Sequence, residues 1–221
     1  MNKRPKIIAI DGPAAAGKGT LAKRLADHFQ LELLDTGLLY RAVAGKVIDI
    51  GVEIADDPET YSVIAGQAAH GLIPADLEVD GLRTDRVAQA ASKVSALPEV
   101  RAALLSFQRN FAEHPPNGAQ GAILDGRDIG TVVCPEADVK LFISASTEIR
   151  AKRRFKELQE RGVEAIYARV LDDMRERDAR DTGRDASPLV AADDALVLDT
   201  SDLDADQAFA AALDFIETRS T

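Results

Sequence analysis

The segment Gly12–Thr20 constrains the fold of this chain more than any other part of its sequence. It reads GPAAAGKGT and stands between the apolar run Ile7–Ile10 and apolar residues spaced by four at Leu21, Leu25 and Phe29. A short apolar run closed by glycine is typical of a buried strand, and the spacing of four is typical of an amphipathic helix. The sequence therefore predicts a strand, a glycine-rich loop and a helix in direct succession.

A glycine-rich loop in this position predicts a binding site for phosphate groups. Glycine lets backbone N–H groups turn toward an anion and approach it closely, and the helix N-terminus adds partial positive charge. Lys18 is expected to reach the β- and γ-phosphates of ATP, the expected phosphoryl donor. The predicted ATP-binding residues are Gly12, Pro13, Ala14, Ala15, Ala16, Gly17, Lys18, Gly19 and Thr20.

The loop departs from the common form at its last positions. Gly19 stands where the common motif carries a magnesium-binding hydroxyl, and Thr20 follows one residue later. We therefore expect Mg²⁺ to be held by ATP phosphates and water, with no direct side-chain ligand. Asp125, at the end of a predicted strand, is a candidate to contact the water bound to that ion.

Four further apolar runs repeat the pattern of a buried strand, and most are followed by helical segments. They are 31–35, 122–125, 139–144 and 195–199. Buried strands that alternate with helices are typical of a parallel sheet covered on both sides. The sequence thus predicts an α/β, P-loop NTPase-like fold with a five-stranded parallel sheet and helices on both faces.

Two segments interrupt this alternation. Residues 47–116 read as helices broken at prolines, with one strand predicted at Leu77–Val79, and residues 150–188 read as two charged helices separated at Gly162. The prediction is a single domain, 1–221, with core segments 1–46, 117–149 and 189–221. The insertion 47–116 would bind the acceptor, and the insertion 150–188 would form a movable lid.

Composition excludes several classes of function. The formal net charge of −10 and the pI near 4.8 disfavour binding to nucleic acid. Cys134 is the single cysteine, so no intramolecular disulfide forms, and the three histidines lack zinc-ligand spacing. No apolar run is long enough for a membrane span. We expect a monomeric cytoplasmic protein.

Arginines of the lid indicate phosphoryl transfer rather than passive nucleotide binding. Arg150, Arg153 and Arg154 share one helix face, and a second set follows on the next predicted helix at Arg177, Arg180 and Arg184. An acceptor that is itself an anion repels the phosphates of ATP, so several positive groups are needed around the transferred group. A closing lid would supply these charges and exclude water.

Four segments resemble bacterial cytidylate kinase: IAIDGPAAAGKGT at 8–20, LDTGLLYR at 34–41, LDGRDIGT at 124–131 and RDARD at 177–181. The resemblance covers residues from Ile7 to about Asp199, and the last two segments are its more discriminating parts. It implies transfer of the γ-phosphoryl group of ATP to CMP or dCMP in pyrimidine nucleotide metabolism. In one respect the chain departs from relatives with a long insertion, because only about ten residues separate Gly71 from Gly81, where those relatives carry several strands.

The resemblance also implies individual roles. Arg41 would hold the acceptor phosphate, Ser92 and Arg101 would contact cytosine, and Asp181 with Arg177 would bind the sugar. The implied catalytic residues are Lys18, Arg127, Arg153 and Arg177. The implied acceptor-binding residues are Asp35, Thr36, Arg41, Ser92, Arg101, Arg127, Asp128, Arg177, Asp181 and Arg184.

Other functions stay open at this point. The acceptor could be UMP, AMP or a small metabolite, and the chain could be an ATP-binding switch without an acceptor. The triplets at Asp35–Gly37 and Asp181–Gly183 match the Asp-Thr-Gly of aspartic proteases. Those enzymes carry both triplets in β-rich loops, whereas the second triplet here lies in a charged helical segment.

Overall fold

The structure is a computed structural model that describes residues 6–55, 57–184 and 186–219. Its strands are β1 Lys6–Asp11, β2 Glu32–Asp35, β3 Gly121–Asp125, β4 Val139–Ser144 and β5 Leu196–Asp199. They form one sheet in the order β2-β3-β1-β4-β5. β1 pairs in parallel with β3 and β4, and β4 pairs in parallel with β5. The predicted α/β class and five-stranded parallel sheet are confirmed.

The helices lie close to where the apolar spacing placed them. Their bounds are α1 Lys18–Phe29, α2 Thr36–Asp49, α3 Ser62–His70, α4 Asp85–Val94, α5 Pro98–Glu113, α6 Thr147–Glu160, α7 Tyr167–Thr182 and α8 Ala205–Arg219. None of the helices in the described part of the chain is long and apolar enough to cross a membrane.

The described residues divide into two compact units. The first contains the residues up to Leu34 and those from Ala112 onward, which include the whole of β1, β3, β4 and β5. The second contains Asp35–Phe111, which includes α2, α3, α4 and most of α5. No strand other than the end of β2 lies in the described residues of the second unit.

The sheet of the first unit is buried because its central strands β1 and β3 are mostly apolar. All five residues of β3 and the last five of β1 are buried, as expected for parallel strands covered on both faces. One cluster packs Ile8, Ile143 and Leu25 with Ile216 of α8. Full burial of each such side chain contributes roughly 2 kcal/mol. This rigid sheet brings the carboxyl ends of β1 and β3, at Asp11 and Asp125, to the same edge.

Prolines in the insertion 47–116 begin helices. Pro58 and Pro74 are the first residues of short 3₁₀ helices, and Pro98 is the first residue of α5. Proline suits the first helical position because its fixed φ is already helical and no N–H partner is needed there.

The strand predicted at Leu77–Val79 is wrong, because Pro74–Glu78 forms a 3₁₀ helix. The carboxylate of Asp76 accepts a hydrogen bond from the backbone N–H of Ile73 at 2.8 Å and pairs with Lys46 at 2.7 Å. These contacts close a turn that the apolar residues at Leu77 and Val79 do not reveal. Local capping thus outweighs the apolar pattern.

The lid helices α6 and α7 are separated as predicted at Gly162, which has φ +70°. The two helices pack through Ala151, Leu158 and Val170, and the rings of Phe155 and Tyr167 meet edge to face at 6.0 Å. A small apolar contact therefore holds these two highly charged helices together.

Candidate active site

The loop between β1 and α1 has the backbone of an anion-binding cradle. Gly12, Ala15 and Gly17 have φ values of +144°, +59° and +95°. Alternating backbone conformations of this kind turn successive N–H groups toward one point. A Cβ added at Gly12 would overlap the carbonyl oxygen of Ile143 in β4, so only glycine fits there. The backbone of the loop that the sequence predicts to bind phosphate is therefore suited to contact an anion.

Lys18 is a buried cation at the first position of α1, with a side chain that is only 6% exposed. Its Nζ donates a hydrogen bond to the carbonyl of Pro13 at 3.0 Å and lies 3.7 Å from Oδ1 of Asp125. Burial, and after it the positive charge of Arg127, lower the pKa of Lys18 to about 8 against the opposing effect of Asp125. An additional anion at the loop would relieve this unfavourable position.

Asp11 is a buried carboxylate that the sequence reasoning missed. Its two oxygens accept hydrogen bonds at 2.7 Å from the backbone N–H groups of Ile129 and Gly130. Burial raises the pKa of Asp11 to about 6 even though these bonds favour the charged form. Asp11 thereby ties the π-helical turn Ile129–Val133 to the start of the phosphate loop. In the sequence, the only sign of this role is the position of Asp11 between the apolar run Ile7–Ile10 and Gly12.

Three predicted arginines converge on one carboxylate, that of Asp181. Nε of Arg127 donates to Oδ2 of Asp181 at 3.1 Å, and Nε of Arg177 lies 3.9 Å from the same oxygen. Burial raises the pKa of Asp181, but the charges of Arg127, Arg177 and Arg184 outweigh burial, so the pKa falls below its ordinary value. Arg127 and Arg177 also act on Lys18. The structure therefore brings the loop after β3 and the lid helix α7 together at the phosphate loop.

The same location excludes the aspartic protease hypothesis. Asp181 lies in α7, and the triplet that it opens ends at the helix terminus, Gly183. Its carboxylate is surrounded by guanidinium groups, and it does not stand in the β-rich loop that a protease of that class requires.

Arg153 is held by protein groups beside the loop. Its guanidinium donates to the carbonyl and the hydroxyl of Thr200 at 2.6 and 3.0 Å, and to the carbonyl of Ala16 at 3.5 Å. Asp128 is buried at 4% exposure beside Arg127 in sequence. A Cβ added at Gly19 would lie 3.6 Å from Oδ2 of Asp125, so this carboxylate faces the loop's last glycine.

The second unit carries the remaining predicted residues. Thr36 is buried at the start of α2, and Asp35 just before it pairs with Arg83 at 3.1 Å. Arg41 on α2 donates to the carbonyl of Leu82 at 2.9 Å. The segment that contains Leu82 and Arg83 therefore contacts α2 at two places, at Asp35 just before the helix and at Arg41 within it. Arg83 is a further charged residue at these positions that the sequence reasoning did not select.

Ser92 and Arg101 lie in one small group of polar and aromatic residues. Ser92 is 4% exposed on α4, and its carbonyl accepts a hydrogen bond from the hydroxyl of Ser95 at 2.9 Å. Arg101 donates to the carbonyl of Ser95 at 3.1 Å, and its guanidinium stands 5.6 Å from the ring centre of Tyr40. Tyr40 is an aromatic partner that the sequence reasoning did not include.

Comparison with known proteins adds independent findings. The family model described as "Cytidylate kinase" matches residues 8–218. A cytidylate kinase of Paramagnetospirillum magneticum is 64% identical over 96% of this chain and 98% of that protein. A cytidylate kinase of Rhodospirillum rubrum is 58% identical over 97% and 98%. The crystal structure of an uncharacterized protein from Eubacterium ventriosum has a TM-score of 0.54 at 16% identity, over 96% of this chain and 99% of that one, which shows the fold alone.

Proposed function

Since this chain belongs to the cytidylate kinase family, we propose that it transfers the γ-phosphoryl group of ATP to CMP or dCMP, giving ADP and CDP or dCDP. The observation that carries this proposal is the buried Lys18 at the proposed phosphate loop, with Arg127 and Arg177 close enough to lower its pKa. Two anionic nucleotides need several cations around the transferred group. A passive ATP-binding switch would need the loop alone.

The donor phosphates bind on the loop Gly12–Thr20. Backbone N–H groups of the cradle and the N-terminus of α1 contact the phosphate oxygens, and Lys18 neutralises charge on the β- and γ-phosphates. The burial that lowers the pKa of Lys18 also strengthens its interaction with an incoming phosphate, because little water screens it.

Mg²⁺ is proposed to bind through the phosphates of ATP and through water. The carboxylate of Asp125 faces Gly19 of the loop. We assign this carboxylate to hold water that is bound to Mg²⁺. When bound, Mg²⁺ neutralises charge on the β- and γ-phosphates.

The transfer requires no general base. An oxygen of the acceptor phosphate is already anionic, so it attacks the γ-phosphorus in line as the bond to the β-phosphate oxygen of ADP breaks. Arg127, Arg153 and Arg177 are the proposed sources of positive charge for this step, together with Lys18. The two lid helices that carry Arg153 and Arg177 exclude water when they cover the phosphates.

Recognition of the acceptor rests on the family resemblance and on two groups of contacts. Ser92 and Arg101 are assigned to cytosine, because a wrong base would leave their polar groups unpaired. Arg177 and Asp181 are assigned to the sugar. The remaining assigned acceptor residues are Asp35, Thr36, Arg41, Arg127, Asp128 and Arg184.

The chain is further proposed to act as a monomeric cytoplasmic enzyme that binds neither nucleic acid nor membrane. Its organisation is proposed to be one kinase domain, 1–221, with an acceptor-binding insertion at 47–116 and a lid at 150–188. The acidic net charge supports the absence of nucleic-acid binding, and the single cysteine supports a reducing compartment.

The test follows the transferred group itself. The purified protein is incubated with Mg²⁺, CMP and ATP labelled at the γ-phosphate, and the products are separated. Labelled CDP is expected from the native protein and from Lys23→Met, whose lysine is exposed on α1. Lys18→Met is expected to form it at least about a hundredfold more slowly. Release of labelled inorganic phosphate without labelled CDP would refute the proposed transfer.

A further inference from the structure

Three carbonyl groups of the phosphate loop are held by side chains. The carbonyl of Pro13 accepts from Lys18 at 3.0 Å, that of Ala14 from Arg150 at 3.3 Å, and that of Ala16 from the hydroxyl of Thr200 at 3.0 Å. No cis peptide bond occurs in the described residues. In a trans peptide, the C=O and the following N–H point in opposite directions. A side chain that holds a loop carbonyl therefore also sets the direction of the next N–H.

Arg150 has every donor of its guanidinium engaged. It is 4% exposed on α6, and Nε donates to the carbonyl of Ala145 at 2.9 Å. Its two terminal nitrogens form a fork on Asp178 at 2.9 and 2.5 Å, and they also reach the carbonyl of Ala14 and the hydroxyl of Thr147. A forked pair of this kind fixes the plane of the guanidinium. Arg150 has no remaining N–H for a phosphate oxygen.

We propose that Arg150 is a positioning residue for ATP: it holds the carbonyl of Ala14 outside the loop and thereby aims the N–H of Ala15 at the phosphates. Ala15 has φ +59°, a conformation that alanine adopts only when its surroundings hold it there. The fixed guanidinium of Arg150 supplies that hold on the preceding peptide. The inference rests on the proposed function in one respect, that the anion bound by the loop is ATP.

Asp178 makes this contact a link between the loop and the lid. It lies on α7, next to Arg177 and three residues before Asp181. The carboxylate that orients Arg150 is therefore part of the helix that brings Arg177 and Asp181 to Lys18. Asp178 acts through Arg150 and makes no contact with the nucleotide. The ion pair with Asp178 thus sets the direction of the Ala15 N–H, while α7 is also held on α6 by apolar packing of Val170 with Ala151 and Leu158.

The experiment measures nucleotide affinity without turnover. Titration calorimetry gives the Kd of ATP with Mg²⁺ and, separately, the Kd of CMP for the native protein, Arg150→Met and Asp178→Asn. Loss of an oriented hydrogen bond to a charged group predicts a Kd for ATP that is about 10-fold weaker or more in Arg150→Met, and a smaller loss in Asp178→Asn. The Kd of CMP is expected to stay within about twofold, a separation that a general loss of structure would not produce.

Control variants separate a specific effect on ATP binding from a general loss of structure. Arg175→Met removes an exposed arginine of α7 and is expected to bind ATP as the native protein does. If Arg150→Met does not fold, Asp178→Asn carries the test, because the side chain of Asp178 is partly exposed and its replacement keeps the shape. A folded Arg150→Met protein, or failing that a folded Asp178→Asn protein, with native ATP affinity overturns this inference alone. Native protein that binds no ATP would instead contradict the proposed function.

Discussion

Nε of Arg127 lies 3.1 Å from Oδ2 of Asp181, which joins the loop after β3 to the lid helix α7. Neither residue is near the other in sequence, and the side chain of Asp181 is only 5% exposed. Three guanidinium groups around one buried carboxylate are stable only while that carboxylate is charged. The ion pair thus links the position of the lid helix α7 to Arg127, one of the positive charges that the proposed reaction requires.

Replacement of this carboxylate tests that coupling. Asp181→Asn leaves the three arginines without their common anion, and the free energy of unfolding at neutral pH is expected to fall by about 3 kcal/mol. Urea unfolding of the native and variant proteins measures the difference. Asp172→Asn, at an exposed position of the same helix, is expected to change stability by less than about 0.5 kcal/mol.

The pH dependence of that difference has a definite sign. The pKa of Asp181 is lowered in the folded protein. The stabilisation by its charge is therefore fully present above pH 3.8, the ordinary pKa of aspartate, and is lost as the pH falls below that value. The stability difference between native and Asp181→Asn protein should therefore be constant near neutrality and shrink in acid. A difference that instead grows as the pH falls toward 4 would contradict the assigned role.

Lys18 predicts proton uptake when ATP binds. Its pKa in the folded protein is about 8, below the ordinary 10.5, so at about pH 8.5 much of the lysine is neutral. Phosphate groups favour the charged form, so binding should draw a proton from the buffer at that pH and none from this residue near pH 6. Calorimetry of ATP binding in two buffers of different ionisation enthalpy measures the uptake. Equal apparent enthalpies at about pH 8.5 would contradict it.

Gly12 predicts a large steric penalty. A Cβ at this position overlaps the backbone of Ile143, and φ is +144°, so Gly12→Ala is expected to cost roughly 3 kcal/mol or more. Gly17→Ala is the matched control, because φ is +95° but nothing lies within 4 Å of the added carbon. That change is expected to cost only about 1 to 2 kcal/mol. Urea unfolding of both variants compares them, and equal losses would refute the steric argument.

Base selection is tested at Arg101. Arg101→Met keeps the length of the side chain but removes the donors proposed for cytosine, so the ratio of kcat/KM for CMP over UMP is expected to fall by about 10-fold or more. Arg109→Met, at an exposed position on the same helix, should leave that ratio unchanged. Unaltered preference in Arg101→Met would remove Arg101 from the cytosine contact.

Much of the fold could be predicted from the sequence because it depends on local patterns. The apolar run of β1, the loop glycines and the break at Gly162 each act within a few residues of themselves. The strand predicted at Leu77–Val79 failed because Pro74 and Asp76 close a 3₁₀ turn through specific hydrogen bonds. Such capping leaves only a weak trace in the pattern of apolar residues.

Contacts between distant segments were beyond sequence reasoning. Asp11 accepts N–H groups from Ile129 and Gly130, which follow it by more than a hundred residues, and Arg150 reaches Ala14 across a similar separation. The charged run of the lid predicted an arginine-rich surface, yet Arg150 is buried and fully engaged. Periodicity identifies the helix face that carries an arginine and gives no information on its distant partners.

Transfer to cytidine nucleotides is tested by comparing acceptors. ADP production by the native protein with ATP and Mg²⁺ is compared for CMP, dCMP, UMP and AMP, with a control that contains no acceptor. Rapid turnover is expected with CMP and dCMP, and little with UMP and AMP. Turnover led by UMP or AMP would contradict the assignment of Ser92 and Arg101, and turnover independent of any acceptor would contradict the proposed transfer itself.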